Sequence, residues 1–109
     1  MDFIQEYQEF CRLTAIYDPS RGVEYCILGL VGEAGELANK FKKVIRDDYG
    51  HMTLDKRNDL LSELGDVCWY VARLAHELGY SMETVMQHNM DKLKDRYERN
   101  QLGGSGDNR

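Results

Sequence analysis

The sequence predicts an all-α protein: a four-helix bundle-like core with two long central helices, followed by a non-helical tail. Three observations carry that prediction. Apolar residues recur at helical spacing through most of the chain, and no stretch shows the two-residue alternation of a half-buried strand. The single proline, Pro19, leaves long segments uninterrupted. At 109 residues the chain reads as one domain over 1–102 with a short glycine-containing tail over 103–109.

The first helix is expected from about Asp2 to Tyr17, with Phe3, Tyr7, Phe10, Thr14 and Tyr17 on one face, stopping at Asp18-Pro19. The second runs from about Val23 to Arg46 on a stripe of Ile27, Leu30, Leu37, Phe41 and Val44, and ends in the turn-like Asp47-Asp48-Tyr49-Gly50. The third takes Thr53 or Asp55 as its cap and continues to Leu78, with Leu60, Leu64, Val67, Val71, Leu74 and Leu78 in a near-heptad pattern. Gly79 then supplies the residue that closes a helix C-terminus. Ser81 caps the fourth helix, along which Val85, Asn89, Leu93 and Tyr97 are spaced. The two long helices carry more apolar surface than one small chain covers, so a homodimer or homotetramer is expected.

Composition narrows the function classes. The formal charge of -5 opposes binding to a nucleic-acid polymer, whose phosphates attract basic surfaces. It does not oppose a single nucleotide reached through divalent cations. No run approaches the roughly 18 apolar residues of a membrane span, and MDFIQEYQEF lacks the basic-then-apolar order of a signal peptide. Cys11, Cys26 and Cys68 are odd in number, widely separated and free of CxxC spacing, which reads as buried thiols in a reducing cytoplasm.

The chemistry lies in two pairs of acids. Residues three apart share a helix face, so Glu33 and Glu36 are neighbours on the second helix, and Glu63 and Asp66 on the third. Like charges so placed repel, increasingly as they leave water, unless a proton or cation compensates them. The first pair sits in GLVGEAGEL, whose three glycines each weaken a helix by ~1 kcal/mol relative to Ala. Small residues between the acids leave room for a ligand or a facing backbone. The pair Glu6 and Glu9 on the first helix is an internal control: it has no glycine nearby and reads as solvated surface.

If the two long helices pack antiparallel, four carboxylates converge. No histidine follows a glutamate at the spacing of di-iron bundles. An all-oxygen site favours Mg²⁺, with Mn²⁺ as a substitute. Mg²⁺ is commonly shared with substrate phosphates, which points to phosphate-ester or anhydride chemistry. Lys40 and Lys43 continue the same ridge with Arg46 behind, placed either for surface pairs such as Glu36 with Lys40 or for substrate phosphates. Tyr70 follows Asp66 by one turn, where its ring can stack on a base or fill a core or interface position.

GEAGEL followed by ELGDVCWYVARLA resembles the MazG-like branch of the all-α nucleoside triphosphate pyrophosphohydrolases, whose signature is ExxE, a spacer, then ExxD. The similarity extends to YQEF and TAIY at the start, KKVIRDD after the first pair, the Asn89–Tyr97 stretch and the closing GSGDNR. The resemblance implies Mg²⁺-dependent hydrolysis of a nucleoside triphosphate to the monophosphate and pyrophosphate, in nucleotide-pool clean-up or control. It makes Glu33, Glu36, Glu63 and Asp66 the metal ligands and catalytic acids, one of which, or a water it orients, would supply the attacking hydroxide. Lys43, Asn89 and Lys92 become phosphate or sugar contacts and Tyr70 a base contact. Asp107 and Arg109 would close over the bound nucleotide, and helices of one subunit would complete the pocket of another. A dUTPase-like or dCTPase-like specificity is the neighbouring reading within this chemistry. A non-catalytic helical oligomer that binds divalent cations is the alternative in another class, and the lysines beside the acids favour catalysis over it.

Overall fold

The computed structural model describes all 109 residues and contains helices and turns but no strand. Helix α1 spans Phe3–Thr14 and is held at its start by a capping box, Asp2 accepting from the Gln5 amide while the Gln5 side chain accepts from the Asp2 amide. It ends three residues before the predicted Tyr17. The Thr14 hydroxyl turns back to the Phe10 carbonyl and accepts the Trp69 indole N–H at 2.8 Å. Tyr17 is drawn out of the helix: its ring stacks on Tyr25 and its hydroxyl meets the Glu77 carboxylate. A single 3₁₀ turn over Pro19–Arg21, capped by Asp18, then leads into α2.

Helix α2 spans Gly22–Asp48 and α3 spans Leu54–Glu77. Tyr49 at φ 54° and Gly50 at φ 80° reverse the chain between them. The turn predicted at Asp47 thus begins two residues later. Thr53 caps α3, and α3 closes in a Schellman arrangement: the Tyr80 amide reaches the Ala75 carbonyl and Gly79, at φ 87°, reaches that of His76. Helix α4 spans Met82–Glu98 behind its Ser81 cap. The same arrangement ends it, with Asn100 at φ 57° in place of glycine.

Helices α2 and α3 form the central antiparallel hairpin. Gly22 lies against Glu77, Gly29 against Tyr70, and Glu33 close to Asp66, so the partner moves back along α3 as α2 advances. Helix α1 crosses onto α3 and the start of α4, burying Cys11, Ala72, Ala75 and Met82 with Ile4, Tyr7 and Trp69 around them. Gln8 anchors that junction by accepting the Met82 amide.

Only nine residues are buried, and the radius of gyration is 16.8 Å, against roughly 13 Å for a compact domain of this length. The chain is open because much of its apolar stripe faces outward. Leu28, Val31, Leu61 and Leu64 on the central hairpin are each more than half exposed, as is Tyr97 on α4. Cys11 and Cys26 are buried thiols as expected, but Cys68 is exposed, at the rim of the contact between α1 and α3 beside Tyr7. No helix is long and apolar enough to cross a membrane.

Candidate metal centre

The hairpin register carries the two acid pairs to the same level of the molecule. Glu33 from α2 and Glu63 and Asp66 from α3 each offer a carboxylate oxygen, and these oxygens all lie within 4.8 Å of one another. Glu36, the fourth acid of the prediction, is exposed and stands outside this group. The control pair behaves as surface: Glu9 is engaged by Arg12 on the same helix and faces no other acid.

A cation already reaches the cluster. Lys40 spans from α2 to α3 and places its Nζ 2.8 Å from Glu63 Oε1, instead of pairing with Glu36 one turn before it. This ammonium holds the Glu63 carboxyl below the usual carboxylate range, with help from the neighbouring Glu33. Glu33 is pushed the other way. The Glu63 carboxylate beside it, to which a proton on Glu33 is donated, raises its pKa first; burial and the charges of Asp66, Glu63 and Glu36 add to the rise.

With all three acids ionised, Glu63 Oε2 is buried and has no hydrogen-bond donor. A buried acceptor without a partner costs free energy, and a proton on Glu33, a bound cation or an ordered water removes that cost. The donor set is oxygen alone, with no thiolate or imidazole within it. These residues therefore fit a hard divalent cation such as Mg²⁺ or Mn²⁺.

Beside the acids lies an open recess of about 300 Å³, lined by Glu33, Asp66, Trp69 and Tyr70. Tyr70 is raised to about 12, chiefly by burial and next by the neighbouring Tyr25 hydroxyl, so its phenol stays protonated at neutral pH. Trp69 packs edge-on against Tyr70, the ring centroids 4.9 Å apart. Sequence reasoning singled out Tyr70 but passed over Trp69. Its signal was adjacency: it shares the helix segment between Asp66 and Tyr70.

The other predicted residues do not gather at the acids. Lys43 is exposed and forms no ion pair, and Asn89 is exposed on α4. Lys92, Asp107 and Arg109 line a separate recess of about 190 Å³. There the tail folds back on α4. Asp107 accepts from Lys92 at 3.0 Å and from Arg96 at 3.3 Å, and Arg99 donates to the Arg109 carbonyl. Arg96, whose guanidinium also reaches the Asp107 carbonyl, is buried and was not anticipated as the anchor of the tail. Both cations hold the Asp107 carboxyl below its ordinary range, Lys92 more than Arg96.

Comparison with known proteins bears on what this arrangement does. A family model described as the MazG nucleotide pyrophosphohydrolase domain matches residues 21–100, which span both acid pairs. The chain is 50% identical over 109 positions to the Gene 37 protein of Mycobacterium phage L5, covering 94% of this chain and 96% of that protein. It is 35% identical over 74 positions to the uncharacterized protein YvdC of Bacillus subtilis (strain 168), covering 63% of this chain and 70% of the relative. No solved structure matches.

Proposed function

Because the chain belongs to the MazG nucleotide pyrophosphohydrolase domain family, we propose that it hydrolyses a nucleoside triphosphate to the monophosphate and pyrophosphate in a Mg²⁺-dependent reaction that cleans up or controls the nucleotide pool. The observation that carries this reading is the convergence of Glu33, Glu63 and Asp66 around a buried oxygen with no donor, beside an aromatic recess.

In this reading Glu33, Glu63 and Asp66 would hold the divalent ion, which would supply polarisation of the phosphoryl oxygens and acidify nearby water. Glu36, one turn from Glu33, is the fourth acid available to it. One of these acids, or a water it orients, takes the proton from the attacking water. Water adds to the α or the β phosphorus, the anhydride bond between them breaks, and the electron pair leaves with the departing phosphate group. Lys40 and Lys43 offer positive charge to the phosphates, and the Tyr70 and Trp69 rings offer a stacking surface to the base.

Asn89, Lys92, Asp107 and Arg109 lie on α4 and the tail, apart from the acid recess of their own chain. They serve this chemistry if a partner copy supplies them. The exposed apolar face of the hairpin supports such a homodimer or homotetramer.

The test is pyrophosphate release from a panel of ribo- and deoxyribonucleoside triphosphates with Mg²⁺, which also reads base and sugar preference. Glu63→Ala and Asp66→Ala should each lower kcat/KM by about a hundredfold or more, since cation-based charge stabilisation is worth several kcal/mol. The reading fails if no nucleotide is turned over, or if both variants match the wild type.

A further inference from the structure

Three glycines, Gly29, Gly32 and Gly35, weaken the middle of α2, and the structure separates them. Beside Gly32 and Gly35 there is open space. Gly29 is different: the Tyr70 ring lies so close to the α2 backbone that a Cβ at this position would collide with it. The ring is also fixed from the sides. Trp69 meets it edge-on at 4.9 Å and Tyr25, one turn before Gly29, leans against it at 6.1 Å and 45°. Tyr25 is itself held by a parallel stack with Tyr17, at 4.8 Å and 17°. The Tyr17 hydroxyl in turn is gripped by Glu77 and by Arg73 Nε at 3.1 Å, and Arg73 is buried.

A chain of contacts therefore runs from the ion pair of buried Arg73 with half-buried Glu77 at the far end of α3, through three tyrosine rings, to the wall of the acid recess. A tyrosine needed only to fill space would not require a helix-weakening glycine opposite it, because a smaller residue would pack against alanine there. The arrangement instead fixes the height and tilt of one ring beside Glu33 and Asp66.

We propose that Gly29 and Tyr25 are positioning residues that seat the Tyr70 ring as the nucleobase platform, so that they set the dependence of binding on the base rather than on the phosphates. This rests on the reading of the acid recess as a nucleotide site. Stacking of one base on an aromatic ring is worth ~1–3 kcal/mol, or roughly 5- to 150-fold in binding.

The experiment compares wild type, Gly29→Ala, Tyr25→Ala, Tyr70→Ala and the Gly29→Ala/Tyr70→Ala double variant in Mg²⁺. KM and kcat are read for a nucleoside triphosphate, and Ki for inorganic triphosphate, which carries the phosphates without a base. Gly29→Ala should raise KM by about tenfold, change kcat less than threefold, and leave the Ki for inorganic triphosphate at its wild-type value. In the Tyr70→Ala background the same substitution should have no further effect, because the ring through which it acts is gone. Tyr25→Ala should shift KM in the same direction, and it decides the matter if Gly29→Ala does not fold.

The proposal is overturned if KM is unchanged, if KM and Ki rise together, or if the Gly29 and Tyr70 effects add. Wild-type protein that hydrolyses no nucleotide would overturn the functional reading itself, and this inference with it. Normal wild-type turnover with any of the former results overturns the positioning role alone.

Discussion

Adding Mg²⁺ to the metal-free protein should stabilise it by an amount set by the acid cluster. Three carboxylates and one lysine ammonium meet there. With every acid ionised the cluster keeps two uncompensated negative charges, the charge a divalent ion neutralises. Binding to the folded state alone stabilises by RT ln(1 + [Mg²⁺]/Kd), about 1.4 kcal/mol at tenfold excess over Kd and about 2.7 kcal/mol at a hundredfold. For a domain of this size the first value corresponds to a rise in Tm of roughly 6 °C. Glu33 adds a pH dependence. Its folded pKa is raised, so the stability from its proton is fully present below the ordinary carboxylate value and is lost as pH rises through the raised one. A proton and Mg²⁺ compete for the same charge, and the Mg²⁺ effect should therefore be small at mildly acidic pH and largest above the raised Glu33 value. The assay is thermal unfolding followed by the fluorescence of Trp69, the only tryptophan, with Kd measured independently by calorimetry. Glu63→Gln, which removes the central ligand and one charge, should abolish most of the shift. The reasoning is refuted if Mg²⁺ raises the Tm of Glu63→Gln as much as that of wild type, or if K⁺ at matched ionic strength does the same.

Three further outcomes are expected. Thr14→Val removes the acceptor of the Trp69 indole N–H while keeping the side-chain shape, and should cost about 1 kcal/mol, the low end for an unpaired donor that water can partly reach; Thr14→Ser should retain wild-type Tm, and equal melting of the two variants would exclude this bond as a contributor. Asp107 has a lowered carboxyl pKa through Lys92 and Arg96, so its contribution to docking the tail is present above the ordinary Asp value and is lost as pH falls through the lowered one; amide hydrogen exchange of residues 103–109 should stay slow across neutral pH and rise only in acid, and Asp107→Asn should exchange quickly throughout. Leu61→Arg and Leu64→Arg place charge on the exposed hairpin face and should convert an oligomeric wild type to monomer in light scattering; an unchanged mass would mean that this face is not the interface.

The helices were legible in the sequence because their signals are local. Thr53 and Ser81 each accept the expected amide bond, and Gly79 takes the positive φ that ends α3. What could not be read was set by partners distant in sequence. Tyr17 continues the helical stripe of α1, yet Glu77, sixty residues away, pulls it out of the helix. Lys40 is spaced to pair with Glu36, yet a carboxylate on another helix claims it. Asn100 closes α4 as a glycine would, a role that asparagine tolerates but does not advertise. At the candidate site, spacing along each helix paired the acids correctly on its own face, while the choice of which side chains meet depended on the register between helices.

That register also explains why two acid pairs produce a group of three. Gly22 against Glu77, Gly29 against Tyr70 and Glu33 near Asp66 share one antiparallel alignment. Continued by three residues, it brings Glu36 level with Glu63. The backbones therefore offer two facing pairs, Glu33 with Asp66 and Glu36 with Glu63, as the sequence suggests. The side chains break the symmetry, because Lys40 draws the Glu63 carboxylate to itself and that carboxylate also lies against Glu33. Glu36 is left without a cation and turns to solvent, where an isolated carboxylate is best hydrated. The helices place all four acids at one level, and the three that meet are those whose carboxylates gather around Glu63, which Lys40 also engages. A divalent ion held by Glu33, Glu63 and Asp66 would have Glu36 one turn from Glu33 on the same face of α2, as a fourth carboxylate within the same hairpin.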